Sequence, residues 1–193
     1  MLRLNFAMAA MSSLFLSSAS HADVAVWKEN VGGWDIFVDR TVDDACFMIG
    51  LFESGTFIRL QVEMAAPGIT FYIGNEEWQS IEHGKAYDMS VQFGSRTPWT
   101  GEAYGFLWDG LPSTGMFVSF ANGRADRFLE EFRRMPGVRV RYQGSQIASI
   151  SLRGSFQAVG ELYDCVGEML LARENAATDP FSERTPISND PFR

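Results

Sequence analysis

The sequence is poor in basic residues. It contains 16 Lys and Arg against 24 Asp and Glu, so the net charge is −8 at pH 7. Only Lys28 and Lys85 are lysines. Nucleic-acid binding depends on neutralising phosphates, and docking on anionic lipid headgroups needs clustered basic side chains. The composition therefore predicts that neither nucleic acid nor an anionic membrane surface is the partner.

Histidine is equally scarce. The chain has two histidines, and His21 lies in an N-terminal segment that we expect to be removed. The other, His83, stands beside Gly84 in a predicted turn. One histidine and two cysteines that we expect to be oxidised cannot supply the usual ligands of a zinc site. We predict no metal and no cofactor.

The signatures of the common hydrolases are also missing. There is no Gly-x-Ser-x-Gly elbow, and a cysteine nucleophile would need a free thiol beside a base. Adjacent carboxylates such as Glu76 with Glu77 lie in polar turns, whereas acid–base catalysis needs carboxylates facing each other across a cleft. The sequence predicts a non-enzymatic protein, with an unrecognised hydrolase as an alternative.

One apolar run stands at the N-terminus. It covers residues 4–16, follows Arg3, and precedes the small residues Ser20 and Ala22. These three parts predict a secretory signal peptide over residues 1–22. An uncleaved membrane anchor is the alternative, but a span needs ~20 apolar residues. We expect a mature chain from Asp23 onward, in the periplasm or outside the cell, without a transmembrane segment.

Two cysteines, Cys46 and Cys165, lie in the predicted mature chain. An even number of cysteines in an oxidising compartment usually forms disulfides. The alternative is a pair of buried free thiols. A bridge would tie the second predicted strand to the last predicted helix.

Hydrophobic periodicity predicts an α+β fold, with a largely antiparallel curved sheet or sandwich and two helices near the C-terminal end packed on it. Residues 23–30 are predicted as an irregular lead-in and residues 108–115 as a loop. The helices are expected to begin at caps formed by Asn122 and Ser155. The predicted strands span residues 34–38, 45–52, 56–64, 69–73, 87–93, 116–120, 138–142 and 147–152.

The globular domain is predicted over residues 23–172, followed by a flexible tail over residues 173–193. Three further features concern packing. Gly101, Ala103 and Gly105 share one face, which would allow a helix to cross the sheet closely. Gly160 and Gly167 form a similar line on the last helix, where Cys165 is predicted at the border of the apolar arc.

Five tryptophans are many for a chain of this size, and several lie at strand ends or in connections. Trp78, Trp99 and Trp108 are candidates for stacking on a glycan or anchoring a protein partner, although tryptophans also fill cores. Arg139 and Arg141 alternate with apolar residues on one strand. They are candidates for binding an anion or an acidic partner, and a solvated face is the alternative.

The C-terminal segment repeats the tripeptide Asp-Pro-Phe. The two copies place Phe181 and Phe192 eleven residues apart. Phenylalanine in a disordered tail is exposed unless a partner covers it, so both are candidate contacts of a short linear motif. Chance repetition, or packing back on the domain, is the alternative.

Three stretches have a distinctive layout: Gly33–Val38, then Cys46–Met48, and the closing Ser151–Ala158. In this layout the chain resembles small secreted alphaproteobacterial proteins of the invasion-associated locus B family. That family usually has another cysteine in its tryptophan strand, and none occurs between Trp34 and Asp44 here. The chain is also similar to periplasmic accessory proteins of type VI secretion. Both resemblances imply a non-enzymatic envelope protein, and neither supplies catalytic residues.

The sequence thus predicts an extracytoplasmic binding or accessory protein. Inhibition of its partner is one form that this hypothesis takes. It is expected to act through contacts with an envelope protein. A glycan- or peptidoglycan-binding module that uses the tryptophans is the second hypothesis.

Overall fold

A computed structural model describes residues 23–178, and within them the alternating segments pair into one sheet of ten strands. Neighbouring strands are antiparallel, their order is β1-β2-β3-β4-β5-β8-β7-β6-β9-β10, and the sheet is not closed. The elements are β1 (Val24–Val31), β2 (Trp34–Asp39), β3 (Ala45–Leu51), β4 (Thr56–Glu63), β5 (Gly68–Asn75), β6 (Ala86–Phe93), β7 (Trp99–Trp108), β8 (Leu111–Ser119), α1 (Arg124–Arg134), β9 (Gly137–Tyr142), β10 (Ser145–Ser151) and α2 (Ser155–Thr178). The predicted α+β class is confirmed.

The main core lies between the sheet and the helices. Residues in register across strands point to the same side of a sheet. One such row crosses five strands and is buried, and it contains Ile36, Met48, Leu60, Phe71 and Met116. Phe128 and Phe132 of α1 are fully buried against this side, and their rings make edge contacts with Phe71. Burying each side chain of this size contributes roughly 1.5–3 kcal/mol.

Cys46 of β3 and Cys165 of α2 form a disulfide, with their Cα atoms 6.1 Å apart and 119 residues between them in sequence. The predicted pairing is confirmed. Cys165 is fully buried, so its predicted position at the border of the apolar arc was wrong. The helix is rotated so that Val159 and Leu162 face the core, while Phe156 remains 53% exposed.

Two predicted irregular segments are strands. Residues 23–30, predicted as a lead-in, contain most of β1, which pairs with β2 at a sheet edge. Residues 108–115, predicted as a loop, contain the start of β8. Asp109 and Gly110 have φ of 47° and 81° and make the two-residue hairpin turn from β7. Asp-Gly is a favoured sequence for such a turn because both positions need positive φ.

The predicted helix caps also differ from the structure. Asn122 has φ of 56° in a short 3-10 turn, and α1 follows Gly123 without a side-chain cap. The Ser155 hydroxyl donates to the carbonyl of Phe132 at 3.0 Å, so it joins the start of α2 to the end of α1. Helix α2 continues to Thr178, through residues that were predicted to belong to the tail.

The glycine predictions are corrected as well. A Cβ on Gly105 would lie 2.3 Å from the carbonyl oxygen of Glu82, so the close neighbour is the loop before β6 rather than a helix. Within residues 23–178, no atom outside the local backbone comes within 4 Å of a Cβ placed on Gly160 or Gly167. None of the helices in this range is both long and apolar enough to cross a bilayer.

Candidate ligand pocket

The sheet face opposite the helices carries a second cluster of buried side chains. Its rows follow from strand register, because a period of two sends alternate residues to this side. One row contains Asp35, Ile49, Arg59 and Tyr72. The next contains Phe37, Phe47 and Gln61. Strands β3 and β4 therefore have buried apolar residues on both faces, and Phe37 of β2 packs partly buried against them.

These side chains surround a pocket of about 890 Å³. Small-molecule sites in proteins usually have volumes of ≈ 300–1,000 Å³ and mainly apolar walls. The pocket is lined by Asp23, Val24, Asp35, Phe37, Asp39, Thr41, Val42, Phe47, Ile49, Leu51, Phe57, Arg59, Gln61, Tyr72, Phe106, Leu107, Trp108 and Asp109. Its size and lining are those of a site for a small, mostly apolar group.

The walls are aromatic pairs. The rings of Phe37 and Phe47 stack at 5.4 Å between centroids. Phe57 and Trp108 meet at 4.9 Å in a tilted arrangement, across the hairpin side of the pocket. Tyr72 and Phe106 make an edge contact at 5.2 Å. Ring pairs of this geometry hold one another in place and leave a wall that can contact an apolar ligand.

Arg59 lies among these rings and is only 5% exposed. Its Nη2 donates to Asp39 Oδ2 at 2.7 Å and to Gln61 Oε1. The guanidinium carbon lies 3.6 Å from the centroid of Phe47, a cation–π contact. Phe47 occupies the row between those of Arg59 and Asp39, so the Arg59 side chain passes over this ring to reach its carboxylate partner.

Arg59 keeps donor capacity that the protein does not use. Its Nε is buried and has no hydrogen-bond partner, the one such side-chain nitrogen or oxygen in the part of the chain that the structure describes. Both side-chain hydrogen bonds that Arg59 makes within residues 23–178 leave from Nη2. Leaving a buried donor unpaired costs about 1–3 kcal/mol, which is unusual in a folded protein.

Asp39 is held in its charged form. Burial by itself raises the pKa of Asp39, but hydrogen bonds from Thr41 and Arg59 and the positive charge of Arg59 outweigh it, so the pKa lies below its usual value. The Thr41 amide donates to Asp39 Oδ1 at 3.1 Å and the Thr41 hydroxyl at 2.6 Å. Asp39 thus has its oxygens occupied by protein donors.

The polar row extends away from the pocket. The Gln61 amide donates to Glu63 Oε2 at 3.0 Å, and the Thr70 hydroxyl donates to the other oxygen of Glu63. Burial and the nearby charge of Glu63 raise the pKa of Tyr72, so its phenol remains neutral at physiological pH. Because the Gln61 amide nitrogen donates to Glu63, its oxygen is oriented toward Arg59.

The mouth of the pocket combines apolar and acidic side chains. Leu51 is 77% exposed and Leu107 is 60% exposed, and the exposed Val24 and Val42 also line the site. Exposed apolar side chains gathered around a concavity mark an interaction surface more often than singly scattered ones do. The carboxylates of Asp23, Asp35 and Asp109 lie among the same lining residues.

The candidate tryptophans fall into different environments. Trp108 lines the pocket. Trp99 donates from Nε1 to Glu131 at 2.8 Å and packs its ring on Phe128, so it joins the sheet to α1. Trp78 is half-buried against the main core.

The other predicted binding residues are not brought to the pocket. Arg139 donates to the carbonyl oxygen of Gly94 at 2.7 Å, and Arg141 lies half-buried on the same strand, β9, which four strands separate from β4. Phe181 and Phe192 lie outside the described residues, as does the predicted signal peptide.

Within residues 23–178, no three histidine, cysteine or acidic side chains gather closely enough to hold a metal ion. A shallower depression of about 530 Å³ contains the exposed His83 and shares Tyr72 and Phe106 with the main pocket.

The chain matches no family model, and comparisons with curated proteins and with solved structures find no significant similarity.

Arg59 and Asp39 were not singled out by the sequence. The one available indication was that residues 45–52 are apolar on both faces, which predicts burial of the second face as well. A charged residue on the neighbouring strand, in register with these apolar residues, is then expected to be buried and paired with an opposite charge.

Proposed function

We propose that this protein is a non-enzymatic binding protein that works outside the cytoplasm, and that the aromatic pocket is its binding site. The observation that carries the proposal is Arg59, which is buried in an open, aromatic-walled pocket and keeps an unpartnered Nε. Arg59 lines this pocket, and a lining residue with a buried, unpartnered donor is the arrangement expected where a ligand completes the hydrogen bonding.

A purely structural role for this face explains less. A face that serves only the fold needs no concavity, whereas this face keeps one of about 890 Å³ with aromatic walls and a buried arginine. A glycan is less favoured, because the walls are mostly aromatic and aliphatic and offer few partners for sugar hydroxyls.

Contact with an envelope protein is the second candidate, and the exposed Leu51 and Leu107 favour it. They surround the mouth, so a protein that delivers or receives the ligand can cover them.

The disulfide supports a location outside the cytoplasm, since thiols are kept reduced inside most cells. Mass spectrometry of the protein from its native host tests the compartment and the processing together: the proposal expects Asp23 as the first residue.

Binding is tested by titrating the protein with an uncharged apolar dye that fluoresces in apolar surroundings. Leu51→Glu places a charge at the mouth without disturbing the core, since Leu51 is 77% exposed. Leu171→Glu on α2 is the matched control, because Leu171 is 59% exposed and does not line the pocket. We expect Leu51→Glu to weaken dye binding by about tenfold and Leu171→Glu to leave it unchanged. Equal binding by both variants would place the dye elsewhere.

A further inference from the structure

We infer that the pocket selects an uncharged, mainly apolar ligand that carries a carbonyl acceptor, such as an acyl ester or an acyl amide. The inference rests on the proposed function of the pocket as a binding site. It follows from three properties of the lining: an unused donor, a resident cation and an excess of carboxylates.

The unused donor requires an acceptor on the ligand. Arg59 can donate five hydrogen bonds, and its two bonds to the described residues both use Nη2. A saturated hydrocarbon would fill the apolar volume and leave the guanidinium unsatisfied. A ligand oxygen placed against Arg59 supplies the guanidinium with an acceptor that the described residues do not provide.

The resident cation disfavours a positively charged ligand. Aromatic pockets often bind cations through their ring faces, but Arg59 already occupies this position, 3.6 Å from Phe47 and 5.4 Å from Trp108. Asp39, the carboxylate deepest in the cluster, is occupied by Arg59 and Thr41. A second cation would meet the guanidinium without a free buried carboxylate to balance it.

The acidic lining disfavours a negatively charged ligand. Asp39 neutralises Arg59, and three further carboxylates belong to Asp23, Asp35 and Asp109. Four acidic residues against one basic residue give the lining a formal charge of −3. A carboxylate near the floor would gain from Arg59 and be repelled by the other four, at short range and partly out of solvent. A neutral carbonyl makes the hydrogen bond without this repulsion.

The test is a displacement series on the mature, disulfide-bonded protein, in which probes with the same eight-carbon chain compete with the neutral dye. The probes are methyl octanoate, octanamide, octanoate, octylamine and octane. We expect the ester and the amide to displace the dye at concentrations about tenfold lower than the other three, a ratio equivalent to one net hydrogen bond or one screened charge contact.

Each alternative outcome overturns a defined statement. Octanoate or octylamine binding as tightly as the ester would overturn the selection for an uncharged ligand. Octane binding as tightly as the ester would overturn the role of Arg59. A zwitterionic amino acid such as phenylalanine displacing the dye better than the ester would overturn the ligand class. If the dye itself fails to bind, the proposed function fails with the inference.

Two variants separate the charges involved. Asp109→Asn removes one lining carboxylate and keeps a side chain suited to the positive φ of this exposed turn position; we expect it to improve octanoate binding several-fold and leave ester binding unchanged. No gain in octanoate binding would contradict the electrostatic argument.

The double variant Arg59→Met with Asp39→Asn removes the ion pair and keeps the apolar walls. We expect it to bind the dye and lose the preference for ester over octane; retention of that preference would exclude Arg59 as the donor.

Discussion

Arg59 and Asp39 form a salt bridge of 2.7 Å in which both side chains are at least nine-tenths buried. Such pairs contribute little to net stability, because desolvation of both ions offsets most of their attraction. The pair holds the guanidinium in one orientation, and Asp39 neutralises its charge. The guanidinium also packs on the Phe47 ring, and its Nη2 donates a second hydrogen bond to Gln61. The pair is therefore better explained by the pocket than by the fold.

Removing one partner of this pair should be far worse than removing both. Arg59→Met leaves Asp39 buried without its counter-charge, and we expect a loss of about 3–5 kcal/mol in the free energy of unfolding. The double variant Arg59→Met with Asp39→Asn should recover most of that loss. Urea denaturation of the wild type, both single variants and the double variant gives the coupling energy. Additive losses would show that the two side chains act independently.

Asp39 should make the protein sensitive to acid. Its pKa is lowered in the folded state, so its stabilising contribution is present above the unfolded pKa and is lost as pH falls through the folded value. The expected window therefore begins near pH 4, the ordinary pKa of aspartate, and extends below it. Denaturation at a series of pH values should show a steeper decline for wild type than for Asp39→Asn. Parallel curves would contradict this assignment.

The Cys46–Cys165 bridge closes a loop of more than a hundred residues. In the chain-entropy model, such a loop stabilises a protein by ~4–5 kcal/mol, and measured values are often smaller. We expect reduction, or replacement of both cysteines by alanine, to lower the free energy of unfolding by up to this amount and so to lower the denaturation midpoint. Non-reducing electrophoresis confirms the oxidised state before each measurement. An unchanged midpoint after reduction would argue that α2 is held by packing alone.

Gly105 and Gly101 offer a matched pair on one strand. A methyl group on Gly105 would lie 2.3 Å from the backbone oxygen of Glu82, whereas a methyl on Gly101 meets nothing within 4 Å. We expect Gly105→Ala to destabilise by about 1–3 kcal/mol because the loop before β6 must move. Gly101→Ala should change stability by less than about 0.5 kcal/mol. Thermal melts compare the stabilities of the two variants. Equal changes would show that the loop before β6 can move away from the added methyl group at little energetic cost.

Local pattern was sufficient for most of the fold. The alternation on β4 and the both-sided apolar run on β3 predicted strands that are present, and Cys46 and Cys165 pair as expected. The predicted loop over residues 108–115 was wrong, because Asp109–Gly110 is typical of a two-residue hairpin turn that joins two strands. Strand β1 has two register shifts and an exposed, weakly alternating pattern, so periodicity alone could not identify it.

The pocket could not be predicted in the same way. Arg59 is placed against Asp39 by the register of three strands, and residues 20 apart in sequence meet only after β2, β3 and β4 have paired. Trp99 and Trp108 are equal candidates for a ligand contact when only the sequence is considered. Tertiary packing separates them, because α1 covers the former and the second face of the sheet leaves the latter beside the open pocket.

We propose that ligands enter the pocket beside Trp108. Each tryptophan indole N–H gives its own signal in a proton–nitrogen correlation spectrum, so titration with methyl octanoate reports on every tryptophan at once. We expect the Trp108 signal to shift, while the signals of Trp99, bonded to Glu131, and Trp34, bonded to the Arg153 carbonyl, stay in place. A shift of the Trp99 or Trp34 signal without a shift of Trp108 would show that the ligand does not bind in this pocket.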